Sequence, residues 1–215
     1  MSDTDAVVFI VDDDKDIRTS LTRALRTRGF TVQTFDSAQA FLDAYDGEQP
    51  GCVVLDFGMP MMSGLDLQEH LNAKRCPLAI IFITGHGGVP ESVLAMKAGA
   101  VDFLEKPFRQ AVLVDLVETA LDLSREKYEA RERSRGIKLR FDRLTAREEE
   151  IVARMISNPA EVSSKEIGNY LGISPRTVDH HRARILEKLE VSSVVELIDL
   201  ASKLKEATPG DSPNR

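Results

Sequence analysis

Five polar residues follow apolar runs in the first half of the chain, and their types suit the binding of a cation and a phosphoryl group. They are the carboxylates Asp12, Asp13 and Asp56, the hydroxyl of Thr84 and the ammonium of Lys106. Carboxylates that meet at one point repel one another unless a divalent cation lies among them, and oxygen ligands suit octahedral Mg²⁺. A lysine and a hydroxyl beside them supply what the oxygens of a phosphoryl group need. The set therefore predicts Mg²⁺-assisted phosphoryl chemistry, provided that the fold gathers the five residues.

The hydrophobic pattern predicts a scaffold that gathers them. Short apolar runs alternate with amphipathic segments as far as residue 122, which is typical of right-handed βαβ units and an α/β fold with a five-stranded, doubly wound parallel sheet. Ligands of such sheets bind beyond the carboxyl ends of the strands, where these polar residues fall. The predicted strands are Val7–Val11, Thr31–Phe35, Cys52–Leu55, Leu78–Ile83 and Val101–Leu104, and the predicted helices are Asp16–Arg28, Ala38–Tyr45, Leu65–Lys74, Glu91–Ala98 and a longer one from Gln110.

Together with their neighbours, these residues resemble the receiver domain of two-component response regulators. The matching stretches lie within residues 6–122 and are Val11–Asp14, Leu55–Pro60, Met62–Gly64, Thr84-Gly85 and Glu105–Phe108. The resemblance implies a flavodoxin-like fold in which Asp56 accepts a phosphoryl group from the phosphohistidine of a histidine kinase. It also implies that Asp13, Asp56 and the backbone carbonyl of Gly58 hold Mg²⁺, with Asp12 acting through water.

The resemblance gives three further residues a part in the response to phosphorylation. It implies that Lys106 pairs with the phosphoryl oxygens, that Thr84 turns inward to hydrogen-bond them, and that Phe103 follows as an aromatic switch. The neighbouring Asp14 and Asp16 are interpreted differently, as negative charges facing the dipole of the first helix.

Gly58 stands where many members of this family carry a larger side chain that can shield the acyl phosphate. We therefore expect an open pocket whose phosphoryl group is attacked freely by water, since in-line access is the main requirement. The alternative is that Met59 or Met61 folds over the pocket and replaces the shield. His86 is the nearest bulky group expected at the pocket mouth.

The charge distribution predicts two domains with different partners. Residues 1–122 carry 10 Lys+Arg and 19 Asp+Glu, a net charge of −9, whereas residues 138–215 carry 13 of each. Residues 123–137 are rich in charge of both signs and indicate a helical linker that continues the helix from Gln110. The predicted organisation is a receiver domain over 1–122, the linker over 123–137, a small all-α domain over 138–207 and a disordered tail over 208–215.

The second domain contains a helix-turn-helix pattern. Its core is the segment Ser164–Val178, in which a short helix, a turn and a second helix capped by Ser174 follow one another. The second helix has an apolar stripe on one face and basic residues on the other, as a helix that lies in the major groove of DNA requires. The predicted helices are Ala146–Ile156, Ser164–Leu171, Pro175–Leu189 and Val194–Lys205.

This half of the chain resembles the LuxR-type output domain, and the whole chain resembles FixJ-like regulators. The motifs that carry the resemblance are Leu144–Glu148, Lys165–Ile167, Thr177–His181, Lys188-Leu189 and Glu196-Leu197. Two features depart from the family pattern: a segment over 157–163 that is longer than the usual turn, and Asp179 among the residues expected to face the groove. The residues expected to contact DNA are Lys165, Arg176, Thr177, Asp179, His180, Arg182, Arg184 and Lys188.

Together these observations predict a transcription regulator controlled by phosphorylation. The expected partners are a histidine kinase, a dyad operator bound by a homodimer that forms on phosphorylation, and RNA polymerase. No signal peptide and no apolar run of about 18 residues is present, so we expect a cytoplasmic protein with no membrane partner. Cys52 and Cys76 are too few for a disulfide framework.

Two other functions stay open at this stage. One is a phosphohydrolase with an aspartate nucleophile, which would need a second aspartate where Gly58 stands. We expect no such enzyme activity beyond slow autodephosphorylation. The other is a constitutive DNA-binding protein with an inert receiver, which the intact acidic set argues against.

Overall fold

The computed structural model of the protein describes residues 6–85 and 89–207. The chain forms two compact units, Met1–Glu129 and Ala130–Arg215. Within the described ranges, no helix combines the length and the apolar character needed to cross a membrane. The disordered tail predicted over 208–215 lies outside these ranges, as does His86.

The first unit contains the predicted parallel sheet. Its strands are β1 Val7–Val11, β2 Thr31–Phe35, β3 Gly51–Asp56, β4 Ala79–Thr84 and β5 Asp102–Glu105, in the order β2-β1-β3-β4-β5. The predicted α/β class is therefore confirmed. Strands β3 and β4 each run one residue further than predicted, so that Asp56 and Thr84 are the last residues of their strands. Both polar side chains are thus held by strand backbone at the carboxyl edge of the sheet.

Helices cover both faces of this sheet. They are α1 Lys15–Arg26, α2 Ala38–Ala44, α3 Gly64–Ala73, α4 Val89–Lys97 and α5 Gln110–Phe141. Because side chains alternate along a strand, Phe9 and Val53 pack on the face that α2, α3 and α4 cover. Ile10 and Val54 pack on the opposite face, against α1 and α5. Strands buried on both faces explain the unbroken apolar runs of the sequence.

Helix α5 includes the whole of the predicted linker. It continues through Gly136, where a Cβ would meet no atom within 4 Å, and ends at Phe141. The first compact unit also extends past residue 122, because the fully buried Ser124 accepts a hydrogen bond of 2.8 Å from the Gly51 N–H at the start of β3. The limits of the two units therefore fall inside the segment that charge alone assigns to a linker.

The second unit consists of helices and includes the predicted helix-turn-helix. Its elements after α5 are α6 Ala146–Ser157, α7 Ser164–Leu171, α8 Pro175–Leu189 and α9 Val194–Ala207. Ser174 caps α8 ahead of Pro175, as predicted, and Gly172 ends α7 at φ +67°, a left-handed conformation that glycine adopts readily. The core contains Ile151, Ile167, Val178, Ile185, Leu189 and Leu197, all fully buried.

Candidate functional site

The acidic pocket lies where β1 and β3 end side by side. The two strands are parallel neighbours with Val11 paired to Leu55, so Asp12 and Asp56 occupy equivalent positions at the sheet edge. Asp12 is completely buried, and Asp56 is 8% exposed. Lys106 directly follows β5, the edge strand beyond β4, and its side chain reaches the same point. The fold thus brings together two of the predicted carboxylates and the predicted lysine.

A single ammonium group serves both carboxylates. Lys106 Nζ donates to Asp12 Oδ2 at 2.8 Å and to Asp56 Oδ1 at 2.7 Å. The other carboxylate oxygens accept from backbone: Asp12 Oδ1 from the Asp14 N–H at 2.8 Å, and Asp56 Oδ2 from the Gly58 N–H at 2.9 Å. These four bonds fix both carboxylates, but the two carboxylates together carry more negative charge than the one lysine neutralises.

The pKa shifts reflect this imbalance. Burial raises the pKa of Asp12, because the hydrogen bonds from Lys106 and from the Asp14 N–H offset only part of the cost of burying its charge. Burial also disfavours the charged form of Lys106, but its bonds to Asp12 and Asp56 outweigh that effect and raise the lysine pKa. The pocket therefore keeps its lysine charged, while the charge of its inner aspartate is only partly compensated.

Asp13, the third predicted carboxylate, is exposed and does not meet the other two at one point. Among the residues with described side chains, no three His, Cys, Asp or Glu groups converge as a metal site would require. This corrects the expectation that three carboxylates converge, since Lys106 takes the place between Asp12 and Asp56. The donor chemistry still fits Mg²⁺, because carboxylate and carbonyl oxygens are the ligands that this ion prefers.

The mouth of the pocket is open on the side of Gly58. A Cβ added to Gly58 would meet only Asp56 Oδ2, at 3.8 Å, so a side chain has room there. Met59 packs into the core, and the Met61 side chain is fully exposed. Neither methionine covers the pocket, so the alternative in which one of them replaces the shield is wrong.

The two predicted switch residues are on neighbouring strands. Thr84 ends β4 and is 4% exposed, and its carbonyl accepts from the Lys106 N–H at 2.7 Å. Phe103 on β5 is half-buried against the core, with its ring centroid 6.2 Å from that of Phe57. Thr84 is therefore tied through the backbone to the residue that binds both aspartates. The switching roles themselves stay predictions.

A basic residue that sequence reasoning missed supports the pocket from α1. Arg18 Nη1 donates to the backbone carbonyl of Asp12 at 2.7 Å and so anchors the end of β1. The sequence offers only its position near the start of a helix, which does not distinguish it from a solvated arginine. Asp14 behaves as interpreted from sequence: it caps α1 by accepting from the N–H groups of Asp16 and Ile17.

The second candidate site is the exposed face of α8. Val178, Ile185 and Leu189 are fully buried, so the opposite face of the helix points to solvent. The exposed residues that were predicted to contact DNA are Arg176, Thr177, Asp179, His180 and Arg184 on α8, with Lys165 near the start of α7. This arrangement offers a helix with basic residues to a groove while its apolar stripe anchors it in the domain.

Three of the predicted DNA contacts have partners inside the domain. Lys188 Nζ donates to Glu148 Oε2 at 2.6 Å, and Arg182 Nη1 donates to the Val162 carbonyl at 2.8 Å. Asp179 accepts a hydrogen bond from the hydroxyl of Ser164. The predictions for these residues rested on their side of α8, and that position does not reveal a partner on another helix or loop.

Glu148, the partner of Lys188, is almost fully buried, at 2% exposed. It completes the predicted capping box, because its Oε2 accepts from the Thr145 N–H at 2.8 Å. Burial would raise the pKa of Glu148, but the bonds from Lys188 and Thr145 outweigh it and lower the pKa to about 2. One carboxylate therefore joins the start of α6 to the end of α8.

A receiver fold with this pocket, together with a helix-turn-helix unit, defines a signal-responsive DNA-binding protein. The sequence matches the response regulator receiver domain over residues 8–118 and the bacterial regulatory proteins of the luxR family over residues 142–201. The chain belongs to the response regulator family, and it is a transcription regulator with receiver and LuxR-type DNA-binding domains.

Individual relatives match nearly the whole chain. The transcriptional regulatory protein FixJ of Bradyrhizobium diazoefficiens is 40% identical over 196 residues, which is 91% of this chain and 94% of that protein. The solved structure of the response regulator StyR is 44% identical, with a TM-score of 0.78, and covers 93% of this chain and 99% of that one. Full-length FixJ from B. japonicum is 38% identical, with a TM-score of 0.55, over 94% and 98% of the two chains.

Proposed function

We propose that Asp56 accepts a phosphoryl group from a histidine kinase and that this modification controls DNA binding by the second unit. The observation that carries the proposal is the double hydrogen bond of Lys106 to Asp12 and Asp56 at the carboxyl edge of the sheet. Two buried aspartates that share one lysine favour the binding of a cation, and the lysine favours the binding of an anionic group such as a phosphoryl group. The match to the receiver domain supports the same role.

The transfer itself needs little from the protein beyond position and charge. A carboxylate oxygen of Asp56 attacks the phosphorus of the phosphohistidine, the P–O bond forms as the P–N bond breaks, and the electron pair stays on the imidazole nitrogen. Lys106 then exchanges its bond to Asp56 for bonds to the phosphoryl oxygens. The N–H of Gly58, which already donates to Asp56, holds the acceptor in place.

The proposed metal ligands are Asp12, Asp13, Asp56 and the Gly58 carbonyl. Mg²⁺ bound there would neutralise negative charge on the transferring group. The exposed side chain of Asp13 can turn toward the pocket without disturbing the core, whereas Asp12 is held by Lys106 and by the backbone of Asp14.

Phosphorylation is proposed to reach the DNA-binding unit through Thr84 and Phe103. A phosphoryl group adds charge and acceptor oxygens beside Thr84, and movement of that residue frees space for Phe103. Repacking near α4 and β5 would then create a dimer surface, and a dimer carries two copies of α8 to the half-sites of a dyad operator. Recruitment of RNA polymerase and a cytoplasmic setting complete the proposal.

The proposed DNA-contacting set is narrower than the sequence expectation. Lys188 is left out of the set because it forms an ion pair with Glu148, and a contact with DNA would leave that buried carboxylate without its cation. Within the set that remains, Lys165 and Arg176 are proposed to contact phosphates and His180 to read bases. All members of this set are exposed, and they are Lys165, Arg176, Thr177, His180 and Arg184.

Neither alternative function gains support. A phosphohydrolase needs a general acid beside its nucleophile, and position 58 is a glycine that supplies only backbone groups. An inert receiver would have no reason to bury Asp12 beside Asp56 around one lysine. We propose autodephosphorylation as the only turnover.

Labelling with acetyl phosphate tests the phosphoacceptor. Mass spectrometry of the full chain with Mg²⁺ should show one phosphoryl addition, and Asp56→Asn should abolish it. Asp14→Asn is the matched control, because it removes a neighbouring carboxylate that caps α1 rather than facing Lys106, and it should label normally. Labelling of Asp56→Asn to the wild-type level would overturn the proposal, as would labelling of the wild type that does not depend on Mg²⁺.

A further inference from the structure

A small polar network connects α8 to the start of α7. It includes Asp179 and Arg182, which the sequence analysis predicts to contact DNA. The hydroxyl of Ser164, the first residue of α7, donates to Asp179 Oδ1. Arg182 Nη1 donates to the same hydroxyl at 3.2 Å and to the carbonyl of Val162 at 2.8 Å. Asp179 and Arg182 lie three residues apart, so they project from one side of α8.

That side of α8 is the flank of the helix rather than the face opposite the core. With about 100° of rotation per residue, Arg182 lies roughly 40° from the middle of the buried stripe, and Asp179 roughly 80° from the middle of the exposed face. Arg182 is accordingly half-buried. The exposed residues nearest the centre of that face are Arg176, His180 and Glu187. Asp179 and Arg182 therefore point toward α7, while their neighbours point to solvent.

The network also fixes the segment 157–163, the part of this unit that is longer than usual for the family. Arg182 holds its end through the Val162 carbonyl. Arg154 on α6 binds the preceding residue through an ion pair with Glu161 and stacks over the ring of Tyr170 on α7, 4.4 Å from the ring centroid. Arginines from α6 and from α8 thus bind adjacent residues near the end of this segment, just before α7.

We propose that Ser164, Asp179 and Arg182 are positioning residues for sequence recognition rather than DNA contacts. Lys165, next to Ser164, belongs to the proposed phosphate contacts, whereas His180 on α8 belongs to the residues proposed to read bases. Phosphate contacts set the register of a protein on the duplex, and groove contacts read the bases. The network fixes the start of α7 against α8 and therefore fixes the distance between these two kinds of contact. The inference rests on the proposed DNA face of α8.

The test is selection from a random 20-base-pair duplex pool by the full chain after treatment with acetyl phosphate, followed by binding measurements on selected and unselected duplexes. Ser164→Ala, which removes no charge, should lower the preference for the selected duplex by about three- to tenfold. Ser164→Thr keeps the hydroxyl and should restore it. Asp179→Ala should have the same effect as Ser164→Ala, and the double variant should lose no more than either single one.

The salt dependence of binding separates positioning from direct contact. Arg182→Ala should leave the slope of log affinity against log salt unchanged, whereas Arg176→Ala, a proposed phosphate contact, should reduce the slope by roughly one. A drop of that size in Arg182→Ala, or a wild-type preference retained in Ser164→Ala, would overturn the positioning role alone. If wild-type protein selects no sequence at all, the proposed reading of DNA by α8 is overturned together with this inference.

Discussion

The two units each place a lysine beside a buried carboxylate, but the two centres are balanced differently. In the receiver, Lys106 is shared by Asp12 and Asp56, and burial raises the pKa of Asp12. In the DNA-binding unit, Lys188 binds one carboxylate among the described residues, that of Glu148. Burial of Glu148 is outweighed there by the bonds from Lys188 and from the backbone, and its pKa falls to about 2. One centre has excess negative charge, whereas the other has every charge matched.

The difference supports our proposal that the receiver pocket reacts, whereas the pair of Lys188 and Glu148 stabilises the fold. A buried ion pair whose partners are fully hydrogen-bonded resists change, because removing either partner leaves an isolated charge. Two carboxylates that share one lysine keep an affinity for further cations and for a group that relieves their repulsion. The receiver pocket is also open at Gly58, while Glu148 is closed off from solvent. Charge balance and access, more than the presence of a lysine, distinguish the two.

Breaking the ion pair of Glu148 and Lys188 should give the largest loss of stability. Glu148→Gln leaves Lys188 without its carboxylate, and we expect the free energy of unfolding of the second unit to fall by about 2 kcal/mol. Hydrogen exchange of the α6 and α8 amides in the full chain measures this loss. Glu149→Gln, an exposed neighbour on the same helix, is the control and should change stability by less than about 0.5 kcal/mol. Equal losses in the two variants would contradict a structural role for the pair.

Acid should weaken the same pair reversibly. The pKa of Glu148 is lowered to about 2 from an ordinary value of 4.5, so its contribution to stability is present above pH 4.5 and is lost as the pH falls toward 2. We expect the second unit to become less stable across this window. Urea unfolding followed at several pH values detects the change, and Glu148→Gln should flatten the slope. If Glu148→Gln kept the wild-type dependence of stability on pH, other carboxylates would be its cause.

The openness of the receiver pocket should control how long the phosphoryl group survives. Gly58→Asn and Gly58→Arg add side chains where the structure has room, and each should change the decay rate of the acyl phosphate severalfold by altering the approach of water. Decay of labelled protein is followed by mass spectrometry after removal of acetyl phosphate. Identical decay in the wild type and both variants would mean that access at Gly58 does not limit hydrolysis.

The smallest change in stability is expected when one carboxylate of the receiver pocket is neutralised. Asp56→Asn makes the same chemical change as Glu148→Gln, but Lys106 keeps Asp12 as its partner and a repulsion between carboxylates disappears. The free energy of unfolding of the receiver should fall by no more than about 0.5 kcal/mol, or should rise. Hydrogen exchange of the β1 and β3 amides measures this change in the free energy of unfolding. A loss as large as that of Glu148→Gln would remove the distinction between the two centres.

Sequence periodicity predicted the five-stranded α/β fold, and the resemblance to receiver domains predicted the residues of its pocket. Unbroken apolar runs require strands buried on both faces, and the carboxyl ends of such strands lie along one edge of the sheet, where Asp12 and Asp56 were expected. The strand order of the structure, with β1 beside β3, makes these two residues neighbours. The helix-turn-helix followed in the same way from helix caps and the apolar stripe that includes Val178. These inferences depend on local periodicity, which a sequence displays directly.

The partner of each charged side chain was decided only by the tertiary structure. Periodicity gives the face of a helix on which a residue lies, but not which residue of another helix or loop faces it. For that reason Lys188 and Arg182 were predicted as DNA contacts, although Glu148 lies 40 residues before Lys188 and Val162 lies 20 before Arg182. Long-range charge pairing depends on how separate elements pack, and in this protein it determines the different charge balance of the two lysine–carboxylate centres.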